Sequence, residues 1–145
     1  MNGTLNSEPE RINTRASRST VDEPHVIAFP SGIPGFETCR RFVLIASSDL
    51  TPFSCLQALD PPRPSFLAID PAALVRGWQC PVPSEEAWFD APARTLVWLA
   101  VVTVTAEDAT ANLRAPIVIN PRRMIGCQLI RDESPYSMHF PIRRV

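Results

Sequence analysis

The side chains that do covalent or metal chemistry are few in this chain and stand far apart. Its four cysteines, Cys39, Cys55, Cys80 and Cys127, are separated by 16, 25 and 47 residues, and its two histidines, His25 and His139, are equally isolated. A zinc knuckle or a redox dithiol needs ligands only about two to four residues apart. One nucleophile and base pairing is conceivable, Cys127 with His139 oriented by Asp132 or Glu133, as in a small cysteine-dependent hydrolase. No motif frames either residue, and a buried cysteine is inert unless its surroundings lower its pKa. All 14 basic residues are arginine, which removes Schiff-base and phosphate-loop lysine chemistry. The five glycines, Gly3, Gly32, Gly35, Gly77 and Gly126, are too scattered to write a dinucleotide fingerprint or a phosphate cradle. The sequence therefore predicts no enzyme, no metal and no cofactor.

Charge is balanced in total and segregated in place. The formal net charge of the chain is -1, and residues 25–145 hold 11 acids and 11 arginines. Between residues 84 and 108, Glu85, Glu86, Asp90, Glu107 and Asp108 stand against Arg94 alone, a net -4. From 109 to 145 the balance is +4. A direct RNA-binding module would draw on Arg114, Arg122, Arg123 and Arg131, but no row of aromatics accompanies them to stack bases. The acidic stretch, in contrast, suits a cationic partner.

These residues need a scaffold, and the apolar pattern describes one. Hydrophobic residues make up 45% of the 145 and charged residues 20%, and a single core at this length buries about 68–70% of the unfolded chain's surface. Residues 1–22 are polar with few apolar side chains and read as a disordered tail. Residues 23–145 read as one domain. No apolar leader core is visible, and the longest apolar run, 96–104, is far short of the roughly 20 residues of a membrane helix. The expected location is the cytoplasm, with reduced thiols.

Sixteen prolines fall between apolar runs rather than inside them, which argues against long helices. Runs at 25–29, 41–46, 53–59, 66–70, 96–105, 116–120, 124–130 and 136–140 have strand length. The run Leu96-Val97-Trp98-Leu99-Ala100-Val101-Val102-Thr103-Val104 lacks polar alternation, so it is expected to be a central strand covered on both faces. Ser84 followed by Glu85 and Glu86 predicts one short helix, stopped at Pro92 and carrying Trp88 as a candidate partner anchor. The fold class is all-β, a small antiparallel β-barrel-like domain with one short helix.

Two stretches stand out from this background. Gly32-Ile33-Pro34-Gly35-Phe36-Glu37 has the composition of consecutive tight turns, with Ile33 and Phe36 filling the core beneath. Asn112-Leu113-Arg114-Ala115-Pro116-Ile117-Val118-Ile119-Asn120 interrupts a strand-like run with polar groups. Asn112 and Asn120 either bond the backbone of their own turns or meet a partner, and Arg114 either covers apolar surface or takes part in recognition.

Those two stretches, together with Leu56-Gln57, Asp70-Pro71, residues 101–103, Gly126-x-Gln128 and Tyr136-Ser137, resemble the FliW flagellar assembly factors from about His25 to the C-terminus. The resemblance implies a barrel-like cytoplasmic protein without an active site that binds two partners. One is flagellin awaiting export. The other is CsrA, the RNA-binding repressor of flagellin synthesis, which such a protein antagonises. Where the family has Gln followed by Ser this chain has Gln57-Ala58, and His139 stands where a basic residue is common. Under that reading the acidic residues Glu85, Glu86, Glu107 and Asp108 face the basic surface of CsrA. Ile33, Phe36, Glu37, Trp88, Asn112, Leu113, Arg114 and Asn120 are the other candidate partner contacts.

Overall fold

Short runs of β-branched and aromatic residues, each closed by a proline or a tight turn, become nine strands in a computed structural model that describes residues 25–82, 92 and 95–143. In chain order they are β1 (Ile27–Ala28), β2 (Arg41–Ala46), β3 (Phe53–Ala58), β4 (Ser65–Ile69), β5 (Val97–Val104), β6 (Ala109–Ala111), β7 (Ile117–Asn120), β8 (Ile125–Gln128) and β9 (Phe140–Pro141). Seven of them close a ring in the order β5, β4, β3, β2, β1, β8, β7 and back to β5, while β6 and β9 extend β5 as a side ribbon. All pairings are antiparallel except β1 with β8. The exception is forced by number, because seven strands cannot alternate in direction around a closed ring without one parallel seam.

The unbroken apolar run of β5 is explained by two cores, one on each of its faces. Val97, Leu99 and Val101 point into the ring with Phe29, Phe42, Leu56, Ile117 and Ile119. Trp98, Ala100 and Val102 point outward, beneath Trp78, Leu113, Tyr136 and Phe140. A strand buried on both sides loses its polar alternation. The coverage ends at Val102: Thr103 is exposed and Val104 is 63% exposed where the β5–β6 hairpin projects from the body.

Three features depart from the sequence reading. β6, an Ala-Thr-Ala segment, carried too little apolar signal to be expected, and it forms through its register with β5, where Val102, Thr103 and Val104 oppose Ala111, Thr110 and Ala109. The strand expected over 136–140 contracts to Phe140–Pro141. Ser134 and Ser137 side chains accept the backbone N–H groups of Tyr136 and His139, at 3.1 and 2.9 Å, so these donors turn locally instead of joining a ladder. A 3₁₀ turn at Pro71–Ala73, capped by the Asp70 carboxylate on the Ala72 N–H at 2.9 Å, has no counterpart in the sequence reading. The helix expected from Ser84, with Glu85, Glu86 and Trp88, lies outside the described residues, as does the tail.

Candidate functional site

The Asn112 to Asn120 stretch sits where the barrel wall is interrupted. Residues 109–120 run antiparallel to β5, but the register steps between Ala111 opposite Val102 and Ile117 opposite Leu99. Six residue steps on one side answer three on the other, so three residues bulge outward. A bulge of this size exposes backbone polar groups that must find partners. Asn112 keeps its place in the ladder, its N–H donating to Val101 O at 3.0 Å, and its Oδ1 accepts the N–H groups of Arg114 and Ala115, both at 3.1 Å. Leu113 N–H donates to Ser137 O at 2.9 Å, Trp78 Nε1 donates to Leu113 O at 3.4 Å, and Gln128 Nε2 donates to Ala115 O at 2.9 Å. The Asn112 side chain is thus an internal brace. Asn120, 2% exposed, does the same for the β7–β8 turn by accepting Arg122 N–H at 3.0 Å.

The bulge forms one wall of a groove of about 390 Å³. The segment 78–81 supplies the second wall and the segment 131–136 the third. Trp78 and Tyr136 lie with ring centroids 5.9 Å apart. Two guanidinium groups line the same space. Arg114 donates from Nε to Tyr136 O at 3.0 Å, and Arg131 donates from a terminal nitrogen to Pro81 O at 2.7 Å. The Nε of Arg131 is buried and has no hydrogen-bond partner among the described residues. Burial pushes the Cys80 thiol up from its ordinary pKa, opposed by a hydrogen bond and charge from Arg131. The thiol is therefore protonated at neutral pH and acts as lining rather than as a nucleophile.

The other expected contacts fall elsewhere. In the Gly32 to Glu37 segment, Phe36 N–H donates to Ile33 O at 2.6 Å, with Pro34 next and Gly35 at φ 89°. Proline second and a positive-φ glycine third make a type II turn. Gly32, at φ 66°, is tied to its type twice over, since a Cβ there would stand 2.7 Å from the backbone of Glu37. Glu37 is exposed and accepts Gly35 N–H at 3.0 Å, which holds its carboxyl below the ordinary range. Ile33 is 4% exposed and Leu113 1%, so both side chains belong to the core, with Leu113 also bordering the groove. Phe36 is half-buried against Phe66, with centroids 5.5 Å apart. Glu107 and Asp108 are exposed at the β5–β6 tip, where the Thr105 hydroxyl donates to Asp108 Oδ1 at 2.9 Å.

The conceivable catalytic pair is divided between elements. Cys127 lies on β8 in the apolar cluster around Leu96 and Val118, and His139 is exposed in the segment before β9. Among the described residues no group of three His, Cys, Asp or Glu side chains could hold a metal ion, and no helix is long and apolar enough to cross a membrane. Asn112, Leu113 and Arg114 are neighbours in the chain, and the bulge keeps them together. The fold joins to them Trp78, Arg131 and Tyr136, which are 17 to 36 residues away and share no motif with them. The usable signal was Tyr136, the single tyrosine of the chain.

The family model described as FliW protein matches residues 11–142, beginning inside the segment read as a tail. The flagellar assembly factor FliW of Natranaerobius thermophilus is 35% identical over 127 residues, covering 84% of this chain and 84% of that protein. Its counterpart in Thermosipho africanus is 34% identical over 134 residues, covering 88% and 92%. A crystal structure of the flagellar assembly factor FliW superposes with a TM-score of 0.77 at 30% identity, covering 87% of this chain and 91% of that one. Barrel, bulge and groove all lie within the matched residues, and the chain belongs to the FliW family of flagellar assembly factors.

Proposed function

We propose that this protein works in the cytoplasm as a non-enzymatic chaperone of flagellin and as an antagonist of CsrA, so that free protein relieves repression of flagellin synthesis. The observation that carries this reading is the family match across residues 11–142. A repressor that grips RNA presents cations, and an acidic surface set against them pairs with those cations and repels phosphate. Glu107 and Asp108 stand exposed on the projecting β5–β6 hairpin, and Glu85, Glu86 and Asp90 are the chain's other acidic concentration. By charge, these acids are the ones that meet CsrA's cations. Phe36 and Glu37 on the type II turn, and Trp88, are contacts for either partner.

Peripheral charges act mainly on association rate and salt dependence, whereas buried anchors act on dissociation. Charge reversal at Glu85, Glu86 and Glu107 is therefore expected to slow CsrA association several-fold at low salt and to flatten its salt dependence. Flagellin binding stays within about twofold. Surface plasmon resonance with both partners across a salt series reads this directly. An unchanged CsrA association rate, or equal losses for the two partners, removes the assignment of this face.

A further inference from the structure

We infer that the groove between residues 78–81, the bulge at 112–116 and residues 131–136 receives an acidic peptide segment of a protein partner. One carboxylate would meet Arg114 and Arg131, and a neighbouring apolar side chain would lie against Trp78 and Tyr136.

Four observations carry this. Each guanidinium is held by a main-chain carbonyl, Arg114 by Tyr136 O at 3.0 Å and Arg131 by Pro81 O at 2.7 Å, so the cations are positioned before any ligand arrives. Among the described residues neither pairs with a carboxylate, since the ion pair found there joins Arg41 to Asp60 at 2.9 Å. The buried Nε of Arg131 has no acceptor among the described residues, so part of that guanidinium's hydrogen-bonding capacity is unmet. The walls, finally, are largely aromatic and aliphatic, and a volume of about 390 Å³ far exceeds an inorganic anion.

Charge selects the ligand class further. Glu133 also lines the groove, so two guanidinium groups and one carboxylate leave a single net positive charge. One peptide carboxylate balances that charge, whereas a phosphate dianion overshoots it. A nucleic-acid strand would need a longer row of cations. The site is of opposite sign to the acidic hairpin tip, so it serves a different segment from the one proposed to face CsrA. Its test involves neither CsrA nor flagellin, and the two readings stand or fall separately.

The experiment follows the indole Nε1–H resonance of Trp78, assigned with Trp78→Phe, in the full chain by NMR. The probes are N-acetyl-Pro-Asp-Phe-amide, its Asn counterpart and inorganic phosphate. The Asp peptide is expected to give a saturable shift, and the Asn peptide to bind about tenfold more weakly. Arg131→Gln should weaken the Asp peptide by a similar factor, with Arg131→Lys intermediate because it keeps the charge without the planar fork. Should Arg131→Gln perturb the fold, Glu133→Gln provides the second test, since removing that carboxylate must tighten the Asp peptide and leave the Asn peptide unchanged. Equal binding of the two peptides, a shift that does not saturate, or phosphate acting at the same concentrations as the peptide overturns the inference.

Discussion

Trp98→Ala is expected to destabilise the protein by about 3–5 kcal/mol, the range for deleting a large aromatic from a packed site. Trp98 lies on the outward face of β5 opposite Val118 and meets Trp78 edge-on with centroids 5.4 Å apart. It bridges the outer core around Ile69, Ala100 and Leu113 and the smaller cluster of Leu96 and Val118. Both clusters therefore lose contacts when it is removed. The β5 backbone cannot close the gap, because it pairs with β7, β4 and β6 in turn along its length. Urea unfolding should show the full loss in midpoint with an unchanged slope. A cost below about 1 kcal/mol would mean that Trp98 is peripheral and that the outer core is not cooperative with the ring.

Phe42→Ala is expected to cost a similar 3–5 kcal/mol from the opposite side of the wall. Phe42 is 0% exposed inside the ring, with Phe29 at 4.7 Å and Phe66 at 6.4 Å between centroids. Its neighbours cannot move in to fill the void. Phe29 is seated against Gly126, where even a Cβ would come within 2.8 Å of the ring, and Phe66 is engaged edge-on by Phe36. Thermal unfolding should fall by about 10–20 °C for a domain of this size. Phe42→Leu, which keeps much of the volume, should recover a large part of the loss. Equal damage from the leucine and alanine variants would show that ring stacking rather than volume sets the stability here.

The strands were legible where residue type and burial agree. Arg41–Ala46 matches its apolar run, and Val97–Val104 falls within the run expected to be central. β6 was not legible, because alanine and threonine carry no preference strong enough to outweigh the turn-rich context, and its pairing is set by β5. The bulge was half legible. The sequence leaves Asn112 as either a brace for its own turn or a contact, and the structure shows it bracing two N–H groups. The groove was not legible at all, since its walls meet only after the ring closes and Arg131 belongs to no sequence motif. Sequence adjacency reveals local turns, whereas a site assembled from three distant segments needs the topology first.

The parallel seam between β1 and β8 bears on the order in which the molecule forms. Ring closure there rests on a two-residue strand, with Ala28 opposite Ile125 and Ala28 N–H donating to Met124 O at 2.8 Å. The joined residues are nearly a hundred positions apart, while β2, β3 and β4 pair with their immediate neighbours in the chain. Distant contacts are entropically the costliest to close and bring little until the intervening structure exists. The meander from β2 to β4 is thus expected to form early, and the β1–β8 seam to close last. In native-state amide exchange the Ala28 N–H should accordingly be released at lower free energy than those of β3. Release only at the global unfolding free energy would mean that seam and meander open as one unit.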